Sequence, residues 1–150
     1  MGVFLAIAIT GCGSSGDPAE VTVQGTFTKA QYLKLARPIC KQGVNEITDH
    51  YRQWEKADTG NRKRSSEHAR DIALAEVAVE AHKKQLQRLR EIGLPHEEEE
   101  FVSRLYEAWE EGVENGEDNP ESMQESNERF AFHQAYAMSV DYGLGACWFD

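Results

Sequence analysis

Positive charge is scarce in this sequence. Sixteen lysines and arginines stand against 26 aspartates and glutamates, a formal net charge of -10 at pH 7. That balance excludes nucleic acid as a partner and excludes anionic lipid headgroups as a docking surface for the protein itself. The one basic cluster, Arg62-Lys63-Arg64, solvates a turn. Cysteine is nearly as sparse, with three residues at positions 12, 40 and 147. None forms a Cys-x-x-Cys pair and none has zinc-site spacing, which excludes a dithiol redox motif and a structural zinc site. The residues three positions before the histidines are Ile47, Ser65, Val79, Gly93 and Phe130, so no Glu-x-x-His unit of a ferritin-like bundle is present. His-Glu-x-x-His, Gly-x-Ser-x-Gly, a phosphate loop, a dinucleotide fingerprint and internal repeats are absent too. The many carboxylates fall on helix surfaces. No catalytic residue and no cofactor are predicted.

Long apolar runs are also missing. The only candidate, Val3 to Ile9, is too short to span a bilayer. It ends in Ile9-Thr10-Gly11-Cys12, the pattern of a lipobox, in which a signal is cleaved before a cysteine whose thiol is acylated. Residues 1–11 are therefore expected to be a lipoprotein signal peptide. Residues 12–26 form the lipidated Cys12 and a tether whose Gly13-Ser14-Ser15-Gly16-Asp17-Pro18 run cannot bury apolar area. Only Met1 and Gly2 precede the apolar run where a signal carries Lys or Arg, as expected if the true start lies upstream. The expected location is outside the cytoplasm, anchored to the cell membrane by lipid. With Cys12 acylated, Cys40 and Cys147 are an even pair suited to one disulfide in an oxidising compartment, two separate buried thiols being the other reading.

What remains, residues 27–150, is long enough for one domain with a real core. After a weakly alternating stretch at Ala19 to Gly25, four amphipathic blocks follow. The first opens with a Thr28-x-x-Gln31 capping box, Phe27 stapling against Tyr32, and turns Ala36, Cys40, Gly43, Ile47, His50 and Trp54 inward. Pro38 inside it is expected to kink or restart the helix, which ends near Asp58-Thr59-Gly60. The second carries Ile72, Ala75, Val79, His82, Leu86 and Leu89 at heptad spacing and closes at Gly93 and Pro95. The third is expected to start at Pro95, with Glu97 to Glu100 where the helix dipole favours them, and to end at Gly112 to Gly116 after an apolar face of Phe101, Leu105, Ala108 and Trp109. The fourth is expected to be capped by Asn119, with Pro120 at its first position and Met123, Phe130, His133, Ala137 and Val140 inward until Gly143. The fold class predicted is all-α, an antiparallel up-down four-helix bundle.

The lipobox cysteine, the tether, "FTKAQYLKLARPIC" and the closing "YGLGAC" together resemble a group of small predicted lipoproteins of actinobacteria and their relatives. The resemblance covers Phe27 to Cys40 and Tyr142 to Cys147, with Pro38 departing from the plain helix usual before the first cysteine. It implies an exported helical domain whose two ends are joined by a Cys40–Cys147 disulfide. It carries over no catalytic residue.

Within such a bundle, His50, His82 and His133 fall on apolar stripes. At 1.5 Å per residue His50 and His82 lie roughly 18 Å apart along the bundle, whereas His82 and His133 come within about three residues of one height. The aromatic residues Tyr51, Trp54, Trp109, Phe130, Phe132, Tyr136, Trp148 and Phe149 are read as core and end caps, or as the lining of a groove. The function expected is a lipid-anchored, non-catalytic binding or interaction module with an envelope protein partner. The alternative is a small metal- or ligand-carrying domain using His82 and His133.

Overall fold

The computed structural model describes residues 27–57, 64–124 and 130–148. The expected signal, Cys12 and the tether lie outside the described residues, as does Phe149. Four α-helices appear, α1 (Lys29–Ala57), α2 (Arg64–Ile92), α3 (Glu99–Asp118) and α4 (His133–Tyr142), with 3-10 turns at Pro120–Gln124 and Gly145–Cys147. No strand is found among the described residues.

α1 starts where its local chemistry dictates. The backbone N–H of Thr28 donates to Gln31 Oε1 at 2.8 Å and the N–H of Gln31 donates to Thr28 Oγ1 at 3.4 Å, while the Phe27 and Tyr32 rings stack with centroids 6.3 Å apart. Pro38 does not restart the helix, which runs through it unbroken from Lys29 to Ala57. The missing N–H costs one bond to the carbonyl of Lys34, and both residues are exposed, so water can satisfy that carbonyl.

The α2 to α3 connection differs from expectation for a backbone reason. Gly93 takes φ +87° after the last turn of α2, Glu98 N–H donates to Pro95 O at 3.2 Å, and Glu97 sits at φ 68°. His96 N–H is committed to Phe27 O at 2.8 Å, tying the start of the domain to this link. With those groups engaged, α3 begins at Glu99 and not at Pro95. Nor do Gly112 and Gly116 end it. Both are buried inside the helix, because the ring of Phe132 occupies the space a Cβ on Gly112 would need and Val79 Cγ2 would lie 2.6 Å from one on Gly116. They are close-approach positions.

The fourth block is corrected most. Asn119 and Pro120 open only a five-residue 3-10 turn, and α4 starts at His133. In and beside α4, Phe132, Ala135, Ser139 and Tyr142 are buried while His133, Ala137 and Val140 are exposed. α4 ends in a Schellman motif: Gly143 at φ +100° donates its N–H to Val140 O at 3.1 Å and Leu144 N–H donates to Ser139 O at 2.7 Å. That reversal carries the tail back onto α1, where Cys147 is disulfide-bonded to Cys40, both fully buried.

The core lies among Tyr32, Leu89, Leu105, Trp109, Phe132, Leu144 and the disulfide. It stops short of the far ends of α1 and α2. On α1 the last buried side chain among those described is Val44, and on α2 the first is Ala75.

Candidate binding groove

The buried histidine stands at the centre of the core. His82 is 4% exposed and its ring lies 4.6 Å from that of Phe132, 4.7 Å from that of Trp148 and 6.0 Å from that of Trp109, centroid to centroid. Its Nδ1 is 2.8 Å from Gln85 Oε1. The other end of the Gln85 amide donates from Nε2 to the carbonyl oxygens of Cys40 at 2.9 Å and Cys147 at 3.5 Å. Carbonyl oxygens only accept, so the amide nitrogen must face them, its oxygen must face the histidine, and Nδ1 must carry the proton. Burial lowers the His82 pKa to about 4, with the Gln85 bond acting in the opposite sense, and the imidazole is neutral at pH 7. Gly43 makes the arrangement possible, since any Cβ there would overlap the Gln85 side chain.

This cluster holds the disulfide ends in register and does not form a metal layer. His133 is exposed, in a shallow recess with Ala108, Glu111 and Asn115, and the structure does not bring it to His82. Among the described residues no group of three His, Cys, Asp or Glu side chains could hold a metal ion. His50, also read as inward, is exposed on α1. Gln85 was not anticipated. Its signal was available: it follows His82 by three positions on the buried stripe of α2.

A second buried polar chain closes the other end of the core. Tyr106 OH donates to Leu89 O at 2.8 Å, which leaves Tyr32 OH to donate to Tyr106 at 2.7 Å. Burial pushes the Tyr106 pKa up to about 12 and drives Tyr32 higher still, so neither phenol ionises near neutrality.

The open feature is on the outside. Beyond Val44 the apolar stripe of α1 continues into Ile47, Tyr51 and Trp54, of which Tyr51 is 47% and Trp54 37% exposed. Beside them a groove of about 630 Å³ runs along the α1–α2 seam. α1 contributes Glu46, Asp49, His50 and Trp54, while α2 contributes Ala73, Val77 and Ala81 with Glu76, Glu80 and Lys84. Four carboxylates thus face one ammonium. Glu80 pairs with Lys84 at 3.7 Å, Glu46 with Arg88 at 3.8 Å and Asp49 with Arg52 at 3.7 Å, while Glu76 has no ion pair among the described residues.

A second groove, between α2 and α3, is bridged by ion pairs and has no aromatic side chain in its lining among the described residues. There Lys83 meets Glu117 at 2.6 Å and Arg90 meets Glu110 at 2.7 Å through a paired guanidinium–carboxylate contact. Each pair raises the pKa of its cation, and Arg90 lowers that of Glu110. The α1–α2 groove therefore differs in its exposed aromatic surface, with Glu76 as its one lining carboxylate that has no ion pair among the described residues. Comparison with protein-family models, with characterised proteins and with solved structures finds no match for the chain.

Proposed function

We propose that this is a lipid-anchored, extracytoplasmic binding protein without catalytic activity, an antiparallel up-down helical bundle that engages an envelope protein through the α1–α2 groove. One observation carries the reading: the apolar stripe of α1, which buries Ala36 and Cys40 lower down, leaves the core and runs on as exposed Tyr51 and Trp54 beside an open groove.

The layout suits an anchored receptor. The described chain begins at Phe27, beside the α2–α3 link, and Trp54 lies about 39 Å along α1 from Thr28 at 1.5 Å per residue. A lipid on Cys12 would thus hold one end near the bilayer and present the groove at the other. No helix among the described residues is long and apolar enough to cross a membrane. The cross-pairs Lys83 with Glu117 and Arg90 with Glu110 support the antiparallel course of α2 and α3. In this reading the protein belongs with the small actinobacterial lipoproteins it resembles. A carrier using His82 and His133 is disfavoured by the burial of one and the exposure of the other.

Metabolic labelling with an alkyne fatty acid tests the anchor. The wild-type chain should take up label and fractionate with membranes, and Cys12→Ala should abolish both. Equal labelling of the two would refute it.

A further inference from the structure

We infer that the α1–α2 groove receives a short amphipathic helix of a partner protein, basic along its flanks and carrying a large apolar side chain for Trp54. The inference deepens the binding reading above and rests on it.

Three features of the groove select this occupant. Its floor on α2 is Ala73, Val77 and Ala81, small residues four apart, so their row forms a shallow ridge with room beside it. Rows of that spacing are what an incoming helix packs against, at an interaxial distance of about 8–10 Å. The stretch from Ala73 to Lys84 is about 17 Å long at 1.5 Å per residue, which matches about three turns of a helix. Trp54 supplies the kind of half-exposed aromatic wall that becomes the anchor of an interface once covered.

Charge then decides between candidate helices. Glu76 and Glu80 stand on the α2 side, Glu46 and Asp49 on the α1 side; Glu76 has no ion pair among the described residues, and the pairs of the other three with Lys84, Arg88 and Arg52, at 3.7 to 3.8 Å, are surface contacts weak enough for a bound cation to compete with. A helix with Lys or Arg on both flanks meets opposite charge along each edge while its apolar stripe faces the floor. A second copy of this chain would bring the same carboxylates face to face on a protein already at net charge -10, which like-charge repulsion opposes.

The test uses the purified full chain and three synthetic peptides of about twelve residues. One is a Leu/Lys amphipathic helix, the second has the same composition scrambled to remove its apolar face, and the third carries Glu for Lys. Binding is read by fluorescence anisotropy and by mapping a photo-crosslink from the peptide. The amphipathic Lys peptide should bind at least about tenfold more tightly than either control, with crosslinks on α1 and α2 around Trp54. The exposed pair Glu76→Gln, Glu80→Gln should weaken binding about tenfold, whereas Glu100→Gln, Glu107→Gln, equally exposed on α3, should leave it within about twofold.

Equal weakening by both double variants would reduce the effect to diffuse charge and overturn the proposal. So would equal binding of the scrambled peptide, crosslinks elsewhere, or a self-associated protein whose dimer excludes the peptide. The anchor reading fails separately, through the labelling of Cys12. If a photo-crosslinker at Gln53 still captures an envelope protein in cells while the peptide fails, the binding reading survives and the helix chemistry is refuted.

Discussion

Acid should loosen this protein through one residue. His82 is buried and neutral, with a folded pKa of about 4 against an ordinary 6.5. Between those values the unfolded chain binds a proton that the folded chain refuses. Stability therefore rises with pH across that window, is fully present above it, and is lost as pH falls from 6.5 towards 4. The gap of about 2.5 units, at about 1.36 kcal/mol per unit, sets the loss at about 3 kcal/mol. The cost has a visible source, since an imidazolium would be enclosed by Trp109, Phe132 and Trp148, with Gln85 Oε1 its one hydrogen-bond partner among the described residues. Urea unfolding with the disulfide intact, at half-unit steps from pH 7.5 to 4, measures the slope in the wild type and in His82→Leu. The variant is destabilised at pH 7, because Gln85 Oε1 loses its donor, but it should lack the slope between 6.5 and 4, so the two profiles converge as pH falls. Glu99 and Glu110, whose pKa values are lowered by backbone hydrogen bonding and by Arg90 respectively, add a loss at lower pH that both proteins share. Parallel pH profiles for the two proteins would refute the reasoning.

Gly112→Ala should destabilise the fold by about 1–2 kcal/mol, because overpacking against the Phe132 ring outweighs the gain of about 1 kcal/mol in helix propensity; a rise in the urea midpoint would show that the ring can yield. Replacing Cys40 and Cys147 together by Ser removes a cross-link spanning 107 residues, worth about 4.8 kcal/mol in the chain-entropy treatment. At roughly 3 °C per kcal/mol for a chain of this size, Tm should fall by about 14 °C. A fall of under about 3 °C in a calorimetric scan would place the stability elsewhere.

Much of the architecture was legible because it is local. The capping box at Thr28 and Gln31, the Phe27–Tyr32 staple and the buried run of Ala75, Val79, His82, Leu86 and Leu89 need only neighbours within a few turns. The misreadings have one physical origin, which is that they depend on what packs from elsewhere. A glycine that breaks a helix and one that admits Phe132 look alike until the chain returns, and Gly112 and Gly116 proved to be the second kind. The phase of the fourth block could not be counted through from Met123, because Met123 lies in a separate 3-10 turn that ends at Gln124 and α4 starts only at His133. Gln85 was overlooked because its partners are two backbone carbonyls 45 and 62 residues away.

The α1 stripe is the informative case, because the periodicity was read correctly and the conclusion drawn from it was not. The spacing that buries Ala36, Cys40 and Gly43 does continue to Ile47 and Trp54, yet burial stops at Val44 where the cover supplied by the closing 3-10 turn ends. Several ties of α1 lie below that point: the cap at Thr28, the Tyr32 hydroxyl on Tyr106, the disulfide at Cys40 and the amide of Gln85 on the Cys40 carbonyl. Above it Glu46 pairs with Arg88 of α2, and Tyr51 and Trp54 are exposed. On the binding reading proposed above, a partner docking on the upper half would meet a helix whose lower half is already stapled, and so avoid part of the entropy of arranging it. On that reading the division of one helix into a stapled half and a presented half would link the disulfide to binding, although the two lie on different stretches of α1.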